Sequence, residues 1–161
     1  MAQSTGVKTR QANLAESAEF NGANIIVEID AAKALTETAT NTAQVLNLFD
    51  VLPGHYAEFC GGLLAIPLED ASDAAFNSNT MTQGDGGDVD RYLASVQLNK
   101  NGTEVLYLEP TALKTAYTVP DTVDATIGSM TAKSLSNIDT GLIICGYRVT
   151  KLKDYASKAF V

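Results

Sequence analysis

Apolar and polar positions along most of the chain recur with a period of two. In "ANIIVEID" (23–30) Ile25, Val27 and Ile29 fall on one face. In "RYLASVQL" (91–98) Tyr92, Ala94, Val96 and Leu98 point one way, and Arg91, Ser95 and Gln97 the other. Val123, Ala125 and Ile127 alternate with Asp124, Thr126 and Gly128. Alternation of this kind marks half-buried strands. "AQVLNLFDVL" (43–52), "GLLAIPLE" (62–69) and "GLIICGYRV" (141–149) are apolar on both faces, as central or partner-covered strands are. Pro67 cannot donate to a ladder, so its strand is expected to bend or to run at an edge there.

The punctuation agrees with strands. Asn101-Gly102 suits the positive φ values of a tight hairpin, and "LPGH" (52–55) and "VPDT" (119–122) supply two more turns. Only 11–20 and 68–76 are compatible with a short helix. The chain holds no internal repeat, and its 161 residues suit one domain with a real core. The pattern predicts an all-β fold, a single β-sandwich or jelly roll. Its expected parts are an extended N-terminal arm (1–22), the sandwich (23–152) and a basic C-terminal tail (153–161).

Composition narrows the class. No run is apolar enough to cross a bilayer, and the first twenty residues lack a secretory apolar core, so a soluble, unexported protein is expected. Without export, the "NGT" sequon at 101 carries no meaning. Cys60 and Cys145 lie in apolar strand segments, which suits buried reduced thiols better than a disulfide. A net charge of −8 argues against nucleic-acid binding, which needs a basic face. The charge is also uneven. Residues 11–147 hold eighteen carboxylates against five cations, whereas the ends carry Lys8, Arg10, Arg148, Lys151, Lys153 and Lys158 against Asp154 alone. Basic ends on an acidic body can pair head to tail or dock on an acidic neighbour.

The densest chemistry is "TQGDGGDVDRYL" (82–93). Asp85, Asp88 and Asp90 provide oxygen ligands for calcium, but the order and glycine placement differ from an EF-hand loop. A phosphate cradle wants Lys and Ser/Thr where this stretch has aspartates. Asp88 and Asp90 on one face could serve as an acid/base pair, yet no aromatic platform accompanies them. The reading that fits best is a structural turn. In it Gly86 and Gly87 supply unusual backbone angles, aspartates cap the turn, and Arg91 neutralises carboxylates. His55, the one histidine, sits near Glu58 and Cys60, but a zinc site or Cys–His pair needs more ligands or a base in reach. His55 is expected to open a strand from an exposed turn. No nucleophile elbow, phosphate loop or dinucleotide fingerprint is present, so neither an enzyme nor a cofactor is expected.

From residue 40 to 152 the order of segments resembles small structural proteins of tailed-bacteriophage virions. The shared pattern is an apolar strand, a Pro-Gly turn, a second strand, then Gly84, Asp85, Asp88, Asp90, Arg91, Tyr92 and Leu93, with "TGLIICGYRVTKL" closing the sandwich. The resemblance implies a capsid decoration or cement protein without catalysis, made in the host cytoplasm and located on the capsid surface. Its implied partners are itself, as a homotrimer, and a major capsid protein, with neither nucleic acid nor membrane. In that setting Gly84, Asp85, Gly86, Gly87, Asp88, Asp90 and Arg91 form a conformational device. Lys8, Arg10, Arg148, Lys151 and Lys153 are the expected interface contacts. Tail, head-fibre or neck proteins share such sandwiches. A carbohydrate- or receptor-binding sandwich, or a glycan hydrolase using Asp88 and Asp90, stands as the reading from another class.

Overall fold

A computed structural model describes residues 2–70, 79–98, 106–108 and 115–152. Among them ten strands form two antiparallel sheets. The strands are β1 (Val7–Gln11), β2 (Ile25–Asp30), β3 (Gln44–Val51), β4 (His55–Glu69) and β5 (Thr80–Asp85), then β6 (Asp88–Gln97), β7 (Leu106–Leu108), β8 (Thr115–Tyr117), β9 (Asp121–Ile127) and β10 (Thr140–Lys151). Two short helices, α1 (Leu14–Glu19) and α2 (Ala31–Ala34), and a 3-10 turn (Leu135–Asn137) complete them. One sheet has the order β1-β2-β10-β4-β7, with β8 also on β4; the other has β3-β9-β5-β6. The chain is an all-β sandwich.

The alternation seen in the sequence sets the inward faces. Val123, Ala125 and Ile127 of β9 are fully buried, as are Val27 and Ile29 of β2. They meet Leu46, Leu48, Leu64, Leu93 and Ile143 between the sheets. Tyr147 lies at the centre, with the rings of Phe49, Phe59 and Tyr92 at 5.0, 5.2 and 5.8 Å. Edge-on and tilted contacts of this kind add to the area that the rings bury. Pro67 falls where two residues of β4, Pro67 and Leu68, oppose one of β10, Gly141, so the missing N–H lands in a bulge.

The N-terminus departs from expectation. Residues 1–22 were expected as an extended arm, but β1 pairs in register with β2, from Val7 opposite Ile29 to Gln11 opposite Ile25. Asn13 then caps α1: its side chain accepts from the Glu16 N–H, and Glu16 accepts from the Asn13 N–H, each at 2.9 Å. Phe20, just after the helix, packs with Ala23, Ile26 and Cys60 on the outer face of the larger sheet. A Cβ on Gly146 would stand 2.5 Å from that of Phe20, so this docking needs the glycine. Ile26, the residue of β2 that faces outward, is therefore buried too. The physical reason is local: Val7 and Thr9 alternate with Lys8 and Arg10, and the cap fixes the turn that follows. The hairpin expected at Asn101-Gly102 and the helix expected over 68–76 fall wholly or mostly outside the described residues. So does the tail from 153.

Among the described residues no helix is long and apolar enough to cross a membrane.

Candidate functional site

The glycine–aspartate stretch is the hairpin joining β5 to β6, with Asp85 opposite Asp88 and Gly86-Gly87 between them. Asp85 is buried, and three hydrogen bonds and an ion pair engage its two oxygens. Oδ1 accepts from the N–H groups of Gly87 and Asp88, each at 3.0 Å. Oδ2 accepts from the Tyr117 hydroxyl at 2.8 Å and pairs with Arg91 Nε at 2.7 Å. A carboxylate has about four lone-pair sites, and three of these accept hydrogen bonds from the chain itself. Among the described residues no group of three or more His, Cys, Asp or Glu is arranged to hold a metal ion.

The glycines work differently from the expectation. Neither Gly86 nor Gly87 has a φ in the left-handed region, so the turn does not draw on glycine's special angles. The position that excludes a side chain is Gly84, whose Cβ would lie 2.0 Å from the Asp88 carbonyl oxygen and 2.4 Å from the Val89 carbonyl carbon. β6 carries extra residues against β5 between Asp88 and Leu93. This bulge folds across Gly84, and that is why Tyr92 and Leu93 are both buried where strict alternation puts one of them outside.

A polar chain runs inward from the hairpin. The Tyr117 hydroxyl, bonded to Asp85, also bonds the Tyr92 hydroxyl. Deeper in the core Tyr147 donates to Gln83 Oε1, and Gln83 Nε2 donates to Cys145 Sγ at 3.1 Å. Burial pushes the phenols of Tyr92, Tyr117 and Tyr147 above their ordinary value, and it pushes the Cys145 thiol up to about 12. These groups are held neutral and inward. For Arg91 burial opposes the charge, and the Asp85 carboxylate outweighs it, raising the pKa. The hairpin is thereby tied to β8 and the core. Tyr92 was read as one of the alternating residues of its strand and as part of the shared motif, but Tyr117, Gln83 and Tyr147 were not singled out in the sequence. The one signal they give is a polar-tipped residue at an inward position of a strand.

Asp88 and Asp90 lie exposed on the far side of the turn. The carboxyl of Asp90 is raised above its ordinary value by a hydrogen bond to Asp88 and by that neighbour's charge. Asp121 accepts the Thr122 N–H through Oδ1, which would stand 3.1 Å from a Cβ on Gly86.

His55 opens β4, with Nδ1 3.2 Å from the Leu52 carbonyl. Glu58 is turned to Arg148, and Cys60 is packed under α1, so the three do not converge. Both cysteines are buried and neither is in a disulfide.

Of the five basic positions expected at interfaces, two are used within the chain. Arg10 bridges Glu16 and Glu28, at 2.5 and 2.8 Å, and clamps α1 to β2. These bonds lower the Glu16 carboxyl from its ordinary 4.5 to about 2; Arg10 leads, and the Asn13 N–H adds to it. Arg148 reaches Glu58 at 3.2 Å and donates to the carbonyls of Asn21 and Gly22. Lys8, on the edge strand β1, and Lys151, at the end of the inner strand β10, are exposed; Lys153 lies outside the described residues.

No protein-family model matches the chain, and no curated protein does. Among solved structures it is similar to a chain of the cyanophage Pam1 capsid asymmetric unit. The TM-score is 0.53 at 14% identity, over 91% of this chain and 86% of that one. At this identity the likeness is one of fold.

Proposed function

We propose that the chain is a non-enzymatic structural protein of a tailed-phage virion, a decoration or cement protein on the outer shell. The observation that carries this is the fold likeness to a phage capsid component, which spans nearly the whole of both chains. The strand order supports it. β2-β10-β4-β7 against β3-β9-β5-β6 reads as a jelly roll, an arrangement used by viral capsid domains. The polar groups of the hairpin support it as well. Asp85, Arg91 and the buried tyrosines are bonded to one another, and they fix a connection in place. A shell-binding subunit needs that rigidity. In this reading the chain assembles with itself as a trimer and binds the major capsid protein, where many modest contacts sum by multivalency.

The composition of purified particles tests the proposal. A decoration protein is present in proportion to the shell subunit by quantitative mass spectrometry. A handful of copies per particle points to tail, head fibre or neck, and absence from particles overturns the virion reading.

A further inference from the structure

Residues 2–5 form a strap across the flank of the sandwich where two sheet edges meet. β1 ends the larger sheet and β3 ends the smaller one, and neither has a further strand beyond it among the described residues. The Ser4 N–H donates to the Asn47 carbonyl at 3.2 Å, and the Asn47 N–H donates to Ser4 Oγ at 3.0 Å. Gln3 Nε2 donates to the Leu48 carbonyl at 2.6 Å, and that carbonyl also accepts from Thr9 Oγ1 at 2.8 Å. Gln3 with Leu48 and Ser4 with Asn47 is the order of a short antiparallel segment laid on β3. A tight turn then joins the strap to β1. The Val7 N–H closes it on the Ser4 carbonyl at 3.1 Å, and Gly6 takes a φ of 78°.

The turn ends the pairing early. Continued straight, the same antiparallel order sets Thr5 beside Leu46 and Gly6 beside Val45. Val45 is instead left 61% exposed, a large apolar side chain on a sheet edge. Its N–H and C=O face the same side as those of Asn47, because main-chain direction alternates along a regular strand. An edge of this kind is a template for a further strand. The strap is also loosely seated at its other end. Asn47 is 4% exposed and lines a cavity of about 200 Å³ with Gln3, Thr9, Phe49 and Asp50, and its side-chain amide has no partner. Ala2, Gln3 and Thr5 are themselves exposed, so opening the strap uncovers little apolar surface.

We propose that the strap is exchanged between copies, residues 2–6 of one chain running straight along β3 of the next. The inference deepens the self-assembly of the virion reading and rests on it. A second copy is the occupant that fits. Its Gln3 and Ser4 bring the same bonds that this edge already makes, and its straightened Thr5 and Gly6 add cover for Val45. Exchange of an identical element conserves the closed contacts, so association is its main cost. Copies held side by side on a shell lower that cost through their effective concentration. Passed head to tail, the arm closes a ring of the kind a homotrimer needs.

Photo-crosslinking on particles tests the exchange. Val45→Cys, labelled with a benzophenone maleimide, is mixed with an excess of the unaltered chain carrying heavy isotopes; Cys60 and Cys145 are buried and stay unlabelled. The mixture is bound to particles prepared without the chain, illuminated and digested. The expected adduct joins the labelled position to a heavy N-terminal peptide, which belongs to another copy. Ser4→Pro in the heavy chain removes the N–H and the hydroxyl that meet Asn47, and it lowers that adduct about tenfold. Adducts to the light N-terminus alone mean a strap that stays within its own chain, and they overturn the inference. So do adducts to a different virion protein, or no adduct. A yield that Ser4→Pro leaves unchanged overturns it as well, since proximity without pairing then suffices. In each of these cases the chain still sits on particles, and the virion reading stands. An unaltered chain that does not bind particles takes down both.

Discussion

Asp85 shows how one residue decides what a loop is for. One of its oxygens accepts from two backbone N–H groups, and the other accepts from Tyr117 and forms an ion pair with Arg91. Removing the charge with Asp85→Asn leaves Arg91 and Tyr117 poorly paired and costs about 2 kcal/mol, measured by urea unfolding. Asp88→Asn and Asp90→Asn, on the exposed side, stay within about 0.5 kcal/mol, and neither calcium nor EDTA shifts any of the three midpoints. Gly84→Ala drives a methyl into the Asp88 carbonyl and destabilises by about 1–3 kcal/mol, whereas Gly87→Ala meets the flexible end of Arg91 at 3.4 Å and Asp85 Oδ1 at 3.5 Å and is tolerated. Asp124, on the outer face of β9, has its carboxyl raised chiefly by burial, with Asp121 adding and the Thr122 hydroxyl opposing. A raised folded-state pKa means stability that is present in acid and lost as pH rises through it. Asp124→Asn therefore raises the melting temperature near neutral pH, and the gain vanishes below the ordinary value of 3.8.

At the scale of elements, β1 and α1 belong to the sandwich, and their attachment can be titrated. Glu16 has a depressed pKa, so its contribution is complete above its ordinary 4.5 and fades as pH falls towards about 2. Protection of the amides across Leu14–Glu19, relative to their intrinsic exchange at each pH, should fall in that window, and in Arg10→Gln it should be low already at neutral pH. Phe20→Ala opens the small core under α1 at a cost of about 3 kcal/mol. The strands were legible because their inward residues repeat every second position: β9 and β10 lie within a residue or two of the segments that the alternation marks. The N-terminal strand was missed because a polar segment of five alternating residues carries little hydrophobic signal, whereas α1 lies within 11–20, where a short helix was compatible, and Asn13 and Glu16 have capping-box spacing. The turn at Gly86-Gly87 and the ion pair of Asp85 with Arg91 are local, six residues apart, and could be read from the sequence. Tyr117 is 32 residues from Asp85 and meets it only through the packing of β8 beside β4 and the hairpin, so no local pattern announces it. Arg10 and Arg148 looked like free cations for the same reason: their partners Glu28 and Glu58 lie 18 and 90 residues away.

For the molecule as a whole, the net charge of −8 is spread over a body whose arginines are largely turned to internal partners. Such a surface favours solubility and discourages copies from stacking at random. A rigid sandwich with fixed connections fits a part that strengthens a shell by bridging its subunits. The most direct measurement is the temperature at which particles release their genome, followed with a nucleic-acid dye. Particles lacking this chain should release several degrees earlier than complete ones, and adding the purified protein back should restore the difference. Equal release temperatures, with the chain fully absent from one preparation and fully present in the other, would contradict the cement role.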